Sequence, residues 1–299
     1  MVLGLALGWG LNWPAIKIVL GEVPPFAART VGLGSGALLL FVLAAVQRRR
    51  LVPPRAHWAG IAGAGALSIV AFNFCTAFAQ LNTSTSRAAV LTYAMPMLST
   101  LLAWPLLGER PGRRALVAAM LGAAGIALLA APALASSIAA PGANWLGPLF
   151  ALAAALAWAL GTIVTKRAAP VPDRVVATAW QLALGGACGA VATVLAAETW
   201  PRTLSPRVAV ALGYHCVVAT AFAYVLWYRL LDSASATVSS LTALAVPVVG
   251  VLGAMALVGE RPGAADWTGF ALVLGAAGLV MFSRQQPGGR TTPGTAASR

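Results

Sequence analysis

The chain has few charged residues, and it has no carboxylate inside any of its long apolar segments. Charged residues make up 9% of the sequence and hydrophobic residues 60%, whereas a soluble domain carries about 25% charged residues. All seven acidic residues fall between the apolar segments or at their ends. Proteins that couple to protons or sodium across a membrane usually keep an ion site at membrane depth. The absence of such a carboxylate therefore argues against ion coupling.

Signatures of catalysis and of cofactor binding are also missing. The chain has no G-x-x-x-x-G-K-[ST] motif and only two lysines, Lys17 and Lys166, which excludes ATP hydrolysis by this chain. Its three cysteines lie far apart within apolar segments and have neither metal-ligand nor disulfide spacing. His215 has no evident nucleophile as its partner. We therefore expect no metal, no cofactor and no enzymatic activity.

What the sequence does have is a series of long apolar segments. About 20 apolar residues in a helix are enough to cross the hydrocarbon core of a membrane. The pattern predicts an all-α polytopic membrane protein with ten transmembrane helices, at residues 2–20, 24–46, 57–80, 85–107, 113–132, 144–166, 174–197, 206–231, 235–258 and 265–283.

The net charge of +13 is distributed unevenly across this predicted topology. Fourteen of the 20 lysines and arginines fall on the side that holds both termini, and four fall on the other side. Because positively charged loops stay in the cytoplasm, we expect a bacterial inner-membrane protein with both termini cytoplasmic. The basic balance then reflects topology and not a nucleic-acid partner. The expected partners are the lipid bilayer and a small-molecule substrate, and the chain is expected to act as a monomer.

The chain contains two copies of one unit. The pentapeptide Gly-Glu-Arg-Pro-Gly occurs at 108–112 and again at 259–263, and a Trp-x-Leu…Lys pattern at 9–17 recurs at 158–166. Five helices per unit would insert the two units with opposite orientation, a common plan for secondary transporters with a site between the halves. The predicted division is a first repeat at 1–133, a linker at 134–143, a second repeat at 144–283 and a disordered cytoplasmic tail at 284–299.

Two prolines occupy equivalent positions inside predicted helices of the two repeats. Pro96 and Pro247 are 151 residues apart, the same offset as the two pentapeptides. Proline inside a transmembrane helix frees a carbonyl and allows a bend. We interpret both as hinges for alternating access, although a static kink also fits the pattern.

Polar and aromatic residues inside the predicted spans define a candidate site. An amide in hydrocarbon needs a partner or a wet cavity, and asparagines beside aromatics favour an apolar cavity with a few polar contacts. Such a pocket suits a ligand with an apolar or aromatic part and a small polar end, for example an amino acid. The predicted substrate-binding residues are Asn12, Trp13, Asn73, Phe78, Tyr93, Trp158, Trp180, His215 and Tyr224.

The duplicated unit, the Trp9–Lys17 pattern, Ala94-Met95-Pro96 and the paired Gly-Glu-Arg-Pro turns together resemble the EamA type of the drug/metabolite transporter superfamily. The resemblance implies a basket of ten helices in two inverted halves around a central cavity. Within that family the pattern is similar to the YddG-like bacterial inner-membrane exporters of aromatic and other amino acids. The second repeat departs from the first, because Gly161 stands where Asn12 stands, which implies an asymmetric lining.

These observations favour a secondary exporter of amino acids and related metabolites, of the facilitative kind. A proton-coupled multidrug or metabolite exporter remains open, with His215 as the proton carrier. A carrier of nucleotide sugars or sugar phosphates is less favoured, since only Lys17, Arg29 and Lys166 approach membrane depth. A channel, a scaffold and an intramembrane enzyme are the remaining alternatives.

Overall fold

The structure, a computed structural model, describes residues 2–139, 145–226 and 236–283. Part of the predicted linker and the whole predicted tail lie outside these residues. The helices are α1 (Val2–Gly10), α2 (Asn12–Val19), α3 (Pro25–Val46), α4 (Trp58–Ala64), α5 (Phe72–Asn82), α6 (Thr85–Thr92), α7 (Met95–Leu107), α8 (Arg113–Ala139), α9 (Leu146–Arg167), α10 (Arg174–Leu195), α11 (Pro206–Gly213), α12 (Ala236–Val258) and α13 (Ala264–Ser283).

Several of these helices join into longer apolar rods. Seven helical stretches in the described part of the chain are long and apolar enough to cross a membrane, and shorter apolar helices follow at Leu244–Val258 and Ala264–Leu279. No described residue lies in a strand. The prediction of an all-helical, multi-pass membrane protein is thus confirmed, while the division into ten spans in two inverted sets of five stays a prediction.

Two of the rods contain π-helical segments. The first, Gly65–Ala71, joins α4 to α5, and the second, Tyr214–Phe222, follows α11. A π segment is rare and shifts the direction of the side chains that follow it, which is why such segments are frequent at functional sites. Here the second segment carries His215, and the first ends immediately before Phe72 and Asn73.

Equivalent helices of the two repeats pack directly on each other. Helix α3 packs along α10, and α8 packs along α13. The α3–α10 approach depends on glycine, since a Cβ on Gly186 would lie 3.1 Å from the Gly34 Cα. Small residues let membrane helices come this close. Large apolar side chains on the outer faces, such as Leu38 and Met120, are exposed, as expected for a surface that contacts lipid.

The two predicted hinge prolines have different surroundings. Helix α6 ends at Thr92, and Pro96 lies in the first turn of α7, so the rod is interrupted just before the proline. Pro247 is buried inside α12, which runs without a break from Ala236 to Val258. The break in the first repeat therefore has no match at Pro247. Hinge motion at either position stays a prediction.

Candidate functional site

A cavity of about 530 Å³ lies among the helices, and residues of both repeats line it. The first repeat contributes side chains from Trp9 to Ser99, and the second contributes side chains from Trp158 to Met281. Ligand pockets typically measure about 300–1,000 Å³ and are mostly apolar with a few placed polar groups. The cavity fits that description, since polar groups from several of the surrounding helices interrupt a mostly apolar lining.

Aromatic side chains form two apolar walls of the cavity. Trp9 meets Tyr224 edge to face, with ring centroids 5.6 Å apart, and the indole Nε1 of Trp9 donates to the Ala219 carbonyl at 3.1 Å. On another side, Phe72 and Trp158 lie 5.0 Å apart in a tilted arrangement. Edge-to-face and tilted pairs are the favoured geometries of aromatic rings. These contacts hold the rings in place and leave their remaining surface for an apolar ligand.

A hydrogen bond between the repeats holds His215 at the cavity. Its Nδ1 lies 2.7 Å from Asn12 Oδ1 across a sequence separation of 203 residues, and its Nε2 is buried without a hydrogen-bond partner. The imidazole packs on the backbone of α3 at Gly32, where a Cβ would collide with the ring. His215 is buried. Asn12 and His215 thus form one polar element, and its position depends on the missing side chain at Gly32.

Helix α5 presents a polar stripe to the cavity. Asn73, Thr76 and Gln80 all line it, at a spacing of three and four residues that places them on one helix face. The Asn73 amide donates to the Ile69 carbonyl at 2.9 Å, and the Thr76 hydroxyl donates to the Asn73 carbonyl at 3.0 Å. Opposite this stripe, Arg29 of α3 donates from Nη2 to Thr76 Oγ1 at 3.1 Å.

Seven of the nine predicted site residues line the cavity: Asn12, Trp13, Asn73, Tyr93, Trp158, His215 and Tyr224. The structure places Phe78 and Trp180 elsewhere. Phe78 packs against Phe26 and Phe150, with centroids 5.3 and 5.4 Å away. Trp180 contacts Phe41 and Trp58, and its Nε1 donates to the Leu51 carbonyl at 2.8 Å. Both serve as packing residues, the common role of aromatics on helices.

The most polar part of the lining was not predicted from the sequence. Arg29, Thr76 and Gln80 line the cavity and are all buried, but none was among the predicted site residues. Arg29 carried a usable signal, because a charged residue within an apolar segment marks a functional site by default. The sequence alone distinguished it only as one of three basic residues that approach membrane depth. Thr76 and Gln80 share a face with Asn73, so the helical spacing on α5 also pointed to them.

Metal binding finds no support in the described part of the chain, where no group of three or more His, Cys, Asp or Glu residues is placed to hold an ion. The cysteines Cys75, Cys188 and Cys216 are free thiols.

Comparison with known proteins decides the family. The sequence model of the EamA-like transporter family matches residues 1–131 and, a second time, residues 145–282. The chain belongs to the EamA-like transporter family. A membrane transporter of small molecules is therefore the function class, and the cavity between the repeats is its candidate substrate site.

Relatives of this EamA-like transporter are spread widely. An uncharacterized protein of Pseudomonas aeruginosa is 33% identical over 76% of this chain and 74% of its own. The uncharacterized transporter YoaV of Bacillus subtilis is 21% identical over 84% of this chain and 85% of its own. A chloroplastic WAT1-related protein of Arabidopsis thaliana is 28% identical over 92% of this chain and 67% of its own. A solved crystal structure with 22% identity matches at a TM-score of 0.63 over 92% of this chain and 94% of that one, so the fold is shared.

Proposed function

We propose that this transporter exports amino acids, preferably aromatic and hydrophobic ones, across the bacterial inner membrane by facilitated alternating access. The observation that carries the proposal is the composition of the cavity. Aromatic rings of Trp9, Trp158 and Tyr224 supply apolar walls, and the polar groups include Asn12, His215, Arg29 and the polar face of helix α5. An amino acid has a matching form, with an apolar side chain and a compact polar end.

The break between α6 and α7 supports the alternating-access part of the proposal. Tyr93 and Ala94 make hydrogen bonds to residues three positions back, and the regular helix resumes only at Met95. Tyr93 and Pro96 both line the cavity. A bend at this break would change the lining and the access to the cavity together. The distribution of basic residues supports cytoplasmic termini, and we propose that a single copy of the chain transports its substrate.

Uptake into proteoliposomes that contain only this protein tests the proposal. We expect saturable uptake of radiolabelled L-phenylalanine or L-tryptophan, with counterflow and with no dependence on an imposed pH gradient. Replacing Trp158 by alanine should reduce uptake by about tenfold or more, because it removes a large part of the apolar wall. The matched control is Trp104→Ala, since that indole is 53% exposed on the outer surface and lines no part of the cavity.

Either result for an amino acid is informative. Saturable uptake that W158A abolishes and W104A leaves intact supports the site and the function together. Equal uptake by the two variants would show that the cavity is not the site at which the transported substrate binds. Absence of amino-acid uptake by the unmodified protein would overturn the cargo assignment.

A second candidate function is proton-coupled export of drugs or metabolites. The specific observation that favours it is His215, which lies at the cavity and bonds to Asn12 of the other repeat. In that case an imposed pH gradient would drive uptake, and His215→Gln would remove the gradient dependence while leaving counterflow. The facilitative proposal predicts that the gradient has no effect in either protein.

A further inference from the structure

Arg29 is a buried cation at the cavity with unused hydrogen-bonding capacity. The residue is 3% exposed, and it donates from Nη2 to Thr76. Its Nε has no partner. A guanidinium carries five donors in a planar fork that suits a carboxylate. Taking a charge out of water is costly unless it is paired, so a partner is expected for this one.

No acidic residue of the described chain supplies that partner. The ion pairs there are Arg49–Asp173, Arg87–Asp266 and Lys166–Glu109, and none includes Arg29. The Glu198 carboxylate lies near the N-terminus of α3, the helix that carries Arg29, but it accepts hydrogen bonds there from the backbone N–H groups of Phe26 and Ala27.

The other two basic residues near membrane depth are engaged outside the cavity. Lys17 donates from Nζ to the Gln80 carbonyl and to the Thr83 carbonyl at the end of α5, where the helix dipole favours a cation. Lys166 pairs with Glu109 at 2.9 Å. Neither lines the cavity, whereas Arg29 does. Of these three cations, Arg29 is therefore the one placed to meet a ligand.

A buried acceptor lies on the facing helix. The Gln80 side chain is 1% exposed, lines the cavity, and has no partner for Oε1. It belongs to the same face of α5 as Thr76, which Arg29 contacts. The cavity thus contains an unused cationic donor and an unused neutral acceptor, with aromatic walls nearby. A zwitterionic ligand would satisfy both groups.

We propose that Arg29 binds the carboxylate of the transported molecule and restricts the cargo to organic carboxylates. This inference rests on the proposed function for the site and on its cavity. A single guanidinium balances one negative charge, so a monoanionic carboxylate fits better than a doubly charged phosphate ester. Gln80 would accept a hydrogen bond from an amino group where the ligand has one. Arg29 is then the residue that selects for a carboxylate, and Gln80 contributes a preference for amino acids.

Three related ligands separate the contribution of each polar group. L-Phenylalanine carries both groups, L-phenylalaninamide lacks the carboxylate, and 3-phenylpropionate lacks the amine. We expect the unmodified protein to transport phenylalanine and 3-phenylpropionate and to transport the amide about 10- to 100-fold less well. That ratio corresponds to one hydrogen bond to a charged group. Equal transport of phenylalanine and its amide would overturn the inference without any variant.

Variants at Arg29 complete the test. R29Q should remove the preference for carboxylates, and R29K should restore part of it, since lysine keeps the charge but loses the fork. The control is Arg202→Gln in an exposed loop, which should keep the preference. An Arg29 that served only the fold would show the opposite pattern, with a lower apparent melting temperature in R29Q and an unchanged preference. We expect the melting temperature of R29Q to hold or rise, because a buried charge is removed.

The outcomes also separate this inference from the proposed function. Transport of 3-phenylpropionate without phenylalanine would overturn the amino-acid assignment and leave the carboxylate site intact. Transport of phenylalanine and its amide at equal rates would do the reverse. If the protein transports none of the three ligands, thermal stabilisation by each ligand tests whether the site binds a carboxylate. Failure of both L-phenylalanine and 3-phenylpropionate to stabilise the protein would overturn the inference.

Discussion

The two Gly-Glu-Arg-Pro-Gly turns have the same sequence and the same backbone, but their glutamates have different roles. Gly108 and Gly259 both adopt φ 75°. In the first turn the Glu109 N–H donates to the Ala103 carbonyl at 3.2 Å, and in the second the Glu260 N–H donates to the Ala254 carbonyl at 3.3 Å. A glycine in the left-handed conformation directly after the last helical residue is a common way to end a helix. The local sequence is sufficient to specify this turn twice.

The glutamate side chains differ because their surroundings differ. Glu260 reaches the N-terminus of α6 in the other repeat, where its carboxylate accepts hydrogen bonds from the N–H of Thr85 at 2.5 Å, the N–H of Ser86 at 2.9 Å and the Ser86 hydroxyl at 2.6 Å. Glu109 pairs with Lys166, and both side chains are about half exposed. A carboxylate at a helix N-terminus is favoured by the dipole. The second turn therefore joins the two repeats at one end of the molecule more strongly than an exposed ion pair does at the other.

Removing each glutamate in turn should give the largest difference. Glu260→Ala leaves three donors of α6 without their acceptor, which should cost about 2 kcal/mol or more and lower the apparent melting temperature by about 4–8 °C. Glu109→Ala removes an exposed pair and should cost less than about 0.5 kcal/mol. Thermal unfolding of both variants in one detergent measures the comparison. Equal losses would show that the two turns hold the fold to the same extent.

Replacing the turn glycines should affect the two repeats equally. At φ 75° a Cβ is strained, so Gly108→Ala and Gly259→Ala should each cost about 1 kcal/mol. Neither added Cβ would touch another residue, since the space around both glycines is open. Gly112→Ala is the control, because that glycine has open space and no positive φ. A loss at only one of the two positions would contradict the equivalence of the backbones.

Much of the fold was predictable because it depends on local signals. The length of the apolar segments indicated the membrane-spanning helices, and the internal repeat indicated which helices of the two halves are equivalent. The interruptions were not predictable in the same way. The π segments at Gly65–Ala71 and Tyr214–Phe222 have no signature in composition, and they lie inside apolar segments that the sequence predicts as continuous helices.

The candidate site was predictable where an unusual residue type marked it. Asn12, Asn73 and His215 are polar groups in apolar helices, and all three line the cavity. Aromatic residues carried less information, because a ring on a membrane helix can face lipid, a neighbouring helix or a cavity. Trp158 and Trp180 illustrate this, since only the first lines the cavity. Which neighbour a ring meets depends on helix rotation, which no single-helix pattern determines.

The ion pair between Arg87 and Asp266 offers a sharper test of whether the two repeats are connected more strongly at the Glu260 end than at the Glu109 end. Arg87 lies next to the residues that Glu260 binds, and its Nε donates to Asp266 at 2.6 Å with the Asp266 side chain 13% exposed. We expect a coupling energy of about 1 kcal/mol for this pair and less than about 0.5 kcal/mol for Lys166–Glu109. Asp266 also accepts from the Gly263 N–H at 3.0 Å, so a double-mutant cycle is needed to isolate the pair. Equal coupling energies would contradict the stronger connection at the Glu260 end.

The smallest expected effect on stability is that of Glu22. Its exposed carboxylate accepts a hydrogen bond just before the N-terminus of α11, much as Glu260 does at the N-terminus of α6. The Glu22 Oε2 accepts from the Ser205 N–H at 2.9 Å, just before α11. Hydrogen bonds from Ser205 lower the pKa of Glu22 below its ordinary value of 4.5. Because the folded pKa is depressed, the stabilisation is fully present above the ordinary value and is lost as the pH falls through the lower folded value.

Thermal unfolding between pH 6 and pH 3.5 measures this contribution. As the pH falls below the ordinary value of 4.5, the unmodified protein should lose stability slightly more steeply than Glu22→Gln. Since the group is exposed, the difference should stay well below the effect of Glu260→Ala at neutral pH. A larger loss of stability at Glu22 than at Glu260 would show that the difference in burial between these two carboxylates does not determine how much their contacts contribute. The contrast between the two turns would then need a different physical cause.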